Sequence, residues 1–295
     1  MEPVVLVGMA AAVAAGRSGM IGETMSEAYV HGYHWRESER LHDQAGTLVE
    51  LLHCDTAYPS GSTVLEVGCG VGAQTVTLAR RSPDARFTSI DVSPESIAEA
   101  RQRVDDAGLT NVEFREADIF ALPWGPESFD HVFVCFVLEH LSRPVQALTL
   151  LNTLLRPGGT LTAIEGDHGS AYFYPDSARA RAAIQCQVTL QAQAGGNSLI
   201  GRELYPLMTA AGLDRVRVSP RTVYVDSSRP DLVDGFTRKT FTAMIEGIRE
   251  PALAAGLIDP VSFDAGLCDL RRTADQDGVF CYTFFKGVGA KSRHA

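Results

Sequence analysis

The sequence predicts an α/β protein: a doubly wound, mostly parallel seven-stranded sheet with a helical lid. Three observations carry that expectation. The run Val64-Leu65-Glu66-Val67 is apolar and β-branched and ends at Gly68-Cys69-Gly70-Val71-Gly72, which reads as a strand buried on both faces, a glycine turn and a helix start. From there to Glu165 strand-like and helix-like stretches alternate at close spacing, the rhythm of right-handed strand–helix–strand crossovers. At 295 residues the chain has room for one such domain and an appended lid.

Composition narrows the function. A net charge of -10 argues against a role on nucleic acid, because phosphate contacts need clustered Lys and Arg. A small-molecule substrate is favoured. The cysteines at 54, 69, 135, 186, 268 and 281 show no Cys-x-x-Cys pairing, so the expectation is reduced thiols in a cytoplasmic protein rather than a zinc ribbon or a disulfide framework. No integral membrane segment is expected. The Ala- and Val-rich stretch Met1–Gly19 has Glu2 where a leader needs positive charge, and it is too broken to span a bilayer. It is expected to be mobile, or to be packed on or exchanged with a neighbour in a homo-oligomer.

Taken in order, residues 1–36 form an N-terminal extension with an unusually aromatic stretch, Tyr29 to Arg36. It reads either as a staple pinning the segment to the body or as a flap over a site. Glu37 to Leu52 carries Leu41, Ala45, Leu48 and Leu52 at helical spacing. Next comes the glycine turn, where Gly68, Gly70 and Gly72 let a ligand lie against the main chain. Nicotinamide cofactors favour Gly-x-Gly-x-x-Gly, whereas the spacing here is Gly-x-Gly-x-Gly. Glu66 would repel a pyrophosphate. It suits a ligand carrying an ammonium and a sulfonium, such as S-adenosylmethionine.

Ala73 to Arg81 continues as helix, and Arg86 to Asp91 is the second strand. Asp91 stands where an acid accepts the ribose hydroxyls of a nucleoside, since Ser93-Pro94 already makes a better helix cap. Val112 to Arg115 is the third strand, with Asp118 and Ile119 beyond it. Phe129 to Phe136 is the fourth, leading into Glu139 and His140, which are either acid/base groups or the start of a helix. Pro144 to Leu155 is helical, Arg156-Pro157-Gly158-Gly159 breaks the chain, and Thr160 to Glu165 is the fifth strand.

Glu165 to Tyr174 then gathers acids, an imidazole and phenols in what reads as a loop. Asp167 or His168 is expected there as a general base or substrate anchor, against the alternative of a polar loop capping a lid helix. Metal ligation by the pair lacks further ligands. Residues 167–196 and 226–278 are read as lid insertions. The core is assigned to 37–166, 197–225 and 279–286, and the tail to 287–295. Phe236, Phe241 and Met244 form one apolar stripe, the mark of a packed core.

Glu66-Val67-Gly68-Cys69-Gly70-Val71-Gly72 resembles the first motif of the class I S-adenosylmethionine-dependent methyltransferases. The Leu-Arg-Pro-Gly-Gly junction before the fifth strand is a second mark of that family. The pattern is most similar to ubiquinone and menaquinone methyltransferases and to bacterial natural-product C-methyltransferases of the teleocidin type.

The resemblance implies a Rossmann-like sheet whose last strand is antiparallel, with S-adenosylmethionine as cofactor and S-adenosylhomocysteine as product. It implies cofactor contacts at Glu66, Gly68, Cys69, Gly70, Gly72, Gln74, Asp91, Val92, Asp118 at the adenine amino group, Ile119 beside the ring, Phe136 along the methionine arm, and Tyr33. Acceptor contacts fall to Tyr29, Tyr33, Phe173 and Tyr174, and proton transfer to Asp167, His168 or His140. The reaction expected is C- or O-methylation of a small hydrophobic acceptor in specialised or quinone-type metabolism. A nicotinamide-dependent oxidoreductase and a non-catalytic S-adenosylmethionine-binding partner protein remain the alternatives.

Overall fold

The computed structural model describes residues 48–293. The aromatic stretch with Tyr29 and Tyr33, and the helical positions Leu41 and Ala45, lie outside the described residues. Seven strands form one sheet in the order β3-β2-β1-β4-β5-β7-β6. They are β1 (Thr63–Val67), β2 (Arg86–Asp91), β3 (Val112–Glu116), β4 (Phe129–Cys135), β5 (Leu155–Tyr174), β6 (Asp214–Asp226) and β7 (Val279–Ala290). β7 runs antiparallel to both its neighbours, and the remaining pairings are parallel, so six strands share one direction. This is the sheet the sequence predicts.

The helices are α1 (Ala73–Arg81), α2 (Pro94–Asp106), α3 (Pro144–Leu154), α4 (Ala178–Gln193), α5 (Leu204–Ala210) and α6 (Pro260–Arg272), with shorter helical turns between Pro230 and Ala254. Their starts follow from local chemistry. The Ser93 hydroxyl accepts the amide of Ser96, Ser177 that of Ala180 and Asp259 that of Ser262, each satisfying a donor the helix leaves open. Strand alternation then splits the core. Val64, Phe133 and Ile164 face a cluster shared with the lid, while Leu65, Val67, Val132, Val134, Leu161 and Ala163 face α3 and α5.

The fifth strand begins at Leu155 rather than Thr160, taking in the expected break at Arg156–Gly159, and two further boundaries differ from expectation. β5 does not end at Glu165: Asp167 pairs with Thr283, Phe173 with Phe280 and Tyr174 with Val279, after a register shift between Asp167 and Tyr172. The polar Gly-Asp-His-Gly-Ser run has weak strand propensity, but the long aromatic edge of β7 supplies its backbone partners, and pairing overrides propensity. At the other end, residues 287–290 belong to β7 rather than to a solvated tail. A Cβ at Gly287 would lie 2.5 Å from Met208 Sδ and one at Gly289 3.0 Å from Leu213 Cβ. Gly287 lets α5 pack close to the strand, and Gly289 does the same for Leu213 in the turn after that helix. The Phe236, Phe241 and Met244 stripe is buried.

Candidate active site

The glycine turn leaves β1 with three left-handed residues, Gly68, Gly70 and Gly72, at φ of 69°, 50° and 77°. A Cβ at Gly68 would meet Val137 Cγ2 at 2.3 Å and one at Gly72 the Ala100 Cα at 2.9 Å, whereas one at Gly70 would meet nothing within 4 Å. Two glycines thus allow close packing beneath the turn. The third opens it outward, as a ligand lying on the main chain requires.

Asp91, at the end of β2, ties the turn down: Gly70 N donates to its Oδ2 at 2.8 Å and Ser93 N to its Oδ1 at 3.0 Å. Glu66 is buried, and its Oε2 accepts the Ser89 hydroxyl at 2.6 Å. Burial pushes its carboxyl up to about 7. A cation beside it would favour the ionised form. Cys69 is buried, and its thiol is pushed above the ordinary range by burial. An open glycine, an acid at the end of the next strand and a buried acid that a cation would ionise fit S-adenosylmethionine.

The other expected cofactor contacts scatter around this turn. Gln74, the second residue of α1, receives His53 Nε2 at 2.6 Å on its Oε1. Ile119 is buried, while Asp118 is exposed and accepts the Phe120 amide at 2.8 Å, leaving its other oxygen without a protein partner among the described residues. Val92 is exposed. Phe136 has a left-handed φ of 57°, costly for a bulky residue. Its amide is held by Ile164 O and its ring lies 5.6 Å from that of Phe284.

The expected acceptor loop is rearranged by its being a strand. Asp167 forms a two-pronged ion pair with Arg202, at 2.7 Å to each oxygen, and accepts the Gly169 amide. His168 is buried, with Tyr282 Oη at 3.1 Å from Nδ1 and Met244 Sδ at 3.3 Å from Nε2, and its ring packs on Phe241. Both are committed to partners within the fold. Phe173 and Tyr174, adjacent in a strand, point to opposite faces. Phe173 stacks on Phe280 at 6.2 Å beneath Arg181, and Tyr174 is exposed. The strand therefore does not bring them together as one acceptor surface.

His140 sits in a different group. Leu138–His140 is a single 3-10 turn after β4. Glu165, wholly buried, accepts the amides of Val137 and Leu138 on Oε1 at 3.1 and 2.8 Å, while its Oε2 has no partner among the described residues. Burial, and then the nearby Glu139, push the Glu165 carboxyl well above the ordinary range. Glu139 Oε1 lies 3.7 Å from His140 Nε2. From α4, Gln191 Nε2 reaches Glu139 O at 3.0 Å and Glu139 Oε2 at 3.3 Å.

Sequence reasoning did not single out Glu165, Gln191 or His53 for the site. Glu165 carried a signal: like Glu66, it is a lone acid at the carboxyl end of an apolar strand. Gln191 and His53 carried none. Among the described residues no group of three His, Cys, Asp or Glu is placed to hold a metal ion, and no helix is long and apolar enough to cross a membrane.

Comparison with known proteins agrees with this geometry. A family described as a methyltransferase domain matches residues 59–212, more than half of the chain. An uncharacterized 37.1 kDa protein in transposon Tn4556 of Streptomyces fradiae is 38% identical over 66% of this chain and 56% of its own length. The chain spans about half the length, or less, of the first curated relatives it matches. The 27-O-demethylrifamycin SV methyltransferase of Amycolatopsis mediterranei is 25% identical over 88% of this chain and 89% of its own. Among solved structures, the [4+2]-cyclase SpnF superposes with a TM-score of 0.53 at 22% identity, covering 85% of this chain and 80% of that one. Phosphoethanolamine N-methyltransferase 2 of Haemonchus contortus, in complex with S-adenosyl-L-methionine, gives 0.52 at 16%, covering 85% and 52%. At such identities these two establish the fold alone.

Proposed function

The chain belongs to the methyltransferase-domain family, and from that premise we propose that it methylates a hydroxyl or an acidic carbon of a small hydrophobic organic acceptor, with S-adenosylmethionine as donor. When bound, the sulfonium supplies a methyl group already activated toward a nucleophile. The chain's own residues hold, orient and deprotonate. The glycine turn and Asp91 would hold the nucleoside, with Asp118 and Ile119 at its base, and Glu66 would face the positive charges.

One observation carries the choice of acceptor: a carboxylate and an imidazole, Glu139 and His140, stand 3.7 Å apart on the 3-10 turn that follows Val137, the residue against Gly68. A hydroxyl or acidic carbon needs a base during transfer, and an alkene does not. His140 would take the proton, with Glu139 beside it stabilising the imidazolium. Glu165 anchors the turn through its two amide contacts. Asp167 and His168 are held within the fold by Arg202, Tyr282 and Met244, whereas the contacts of His140, to Glu139 and to Gln191 Nε2 at 3.5 Å from Nδ1, are longer and lie on the turn beside the glycine loop. The rifamycin relative, named for an O-demethyl substrate and similar over nearly its whole length, supports a hydroxyl on a natural product of that size. The menaquinone enzymes of Listeria, similar over only 36% of this chain, support a quinol less strongly.

The test is single-turnover methylation of a panel of hydroxylated polyketides and quinols. His140→Ala should slow transfer by about 10²–10⁴-fold while S-adenosylhomocysteine binds as before. A variant as fast as the parent would remove the base and return the alkene.

A further inference from the structure

His53 closes the helical stretch 48–53, wholly buried, with its ring 5.8 Å from that of Phe133 on β4. Its Nε2 is 2.6 Å from Gln74 Oε1, and its Nδ1 is buried with no partner among the described residues. Two arrangements satisfy the short contact. With the proton on Nε2, His53 donates to the Gln74 oxygen and Nδ1 is a bare acceptor. With the proton on Nδ1, the Gln74 carboxamide must turn round to donate its N–H, and a buried imidazole N–H is left orphaned. An orphaned buried donor is the rarer and costlier defect, so the first arrangement stands. Burial, assisted by Lys286 and Arg81, pushes His53 down to about 4, although the Gln74 contact opposes it, so the ring is neutral.

The consequence falls on Gln74. Its Nε2 has no protein partner among the described residues and, with Oε1 taken by His53, is the end left for a ligand. It lies in the first turn of α1, a turn without acidic residues, where unpaired amides and the helix dipole favour an anion. The amino-acid end of S-adenosylmethionine carries a carboxylate. We propose that His53 is a positioning residue that dictates which end of the Gln74 carboxamide faces the cradle, so that Gln74 donates to that carboxylate. The inference rests on the S-adenosylmethionine reading above and extends it to a residue that need not touch the cofactor.

The experiment titrates the whole protein with two nucleosides: S-adenosylhomocysteine, and 5′-methylthioadenosine, which lacks the amino-acid portion. His53→Phe keeps a ring against Phe133 but removes the donor, and His53→Gln restores a donor near the Nε2 position. His53→Phe should weaken S-adenosylhomocysteine about tenfold and leave methylthioadenosine within about twofold. His53→Gln should recover most of the loss, and in a Gln74→Ala background His53→Phe should have no further effect. Equal weakening of both nucleosides, or undiminished S-adenosylhomocysteine binding, overturns the positioning role. Should His53→Phe fail to fold, nitrogen NMR of the parent decides: a protonated Nε2 and bare Nδ1 support the inference, and the opposite tautomer overturns it. A parent protein that binds neither nucleoside sinks the cofactor reading itself, an outcome distinct from both.

Discussion

The two ends of the sheet are built on opposite plans. On the β1–β2 side the site is assembled from neighbours in sequence: a glycine turn, Asp91 bonded back to Gly70, and Glu66 held by Ser89. On the β5–β7–β6 side the packed core is assembled from distant segments. Phe173 of β5, Phe236 and Phe241 of the lid, and Phe280, Tyr282 and Phe284 of β7 interlock ring on ring. The lesson is a division of labour: short-range backbone geometry makes the open glycine turn, and long-range packing makes the aromatic core on the other side of the sheet.

That division is open to attack. The largest effect is expected from Phe280→Ala, which empties a fully buried position touching Phe173, Phe236 and Phe241. Stability in denaturant should fall by about 3–5 kcal/mol, while S-adenosylhomocysteine affinity of the folded fraction stays as it was. A parallel fall in affinity would mean the two sides are one unit. Asp91→Ala should do the reverse, weakening S-adenosylhomocysteine by about 1.5–3 kcal/mol, the range for a charge-assisted hydrogen bond. Calorimetry showing unchanged affinity would remove Asp91 from the ribose.

The smallest effect sharpens the comparison by pH. Because burial raises Glu66 to about 7 in the folded chain, the protonated form is the one the ligand-free fold favours. Its contribution to stability is full below the ordinary carboxylate value and is lost as pH rises through about 7. Cofactor binding should run the other way. The ammonium and sulfonium favour ionised Glu66, so S-adenosylmethionine affinity should rise roughly tenfold between about pH 6 and pH 8. Glu66→Gln should flatten both trends, and a flat profile in the parent protein would separate Glu66 from the cation.

Legibility followed the same division. Glu66, the three glycines and Asp91 could be read because they fall within one strand–helix–strand unit, where spacing sets geometry, while the place of the antiparallel last strand came from the family resemblance. Asp167, His168 and Tyr174 read as one polar cluster, with Phe173 among them, because nothing within Glu165–Tyr174 announces that β7 will pair with it. Once paired, alternation sends Phe173 into the core and Tyr174 to solvent, and Asp167 meets Arg202 from a segment well downstream.

The turn from Val64 to Gly72, its acids and the parallel sheet around it were therefore determined by the amino-acid sequence itself, because left-handed backbone and buried strands admit few residue types. Only the tertiary structure decided that Asp167 and His168 are held by Arg202, Tyr282 and Met244, that His140 stands beside Glu139 and Gln191, and that His53 meets Gln74. Those contacts join segments that share no local pattern, and their geometry exists only once the sheet and lid have closed.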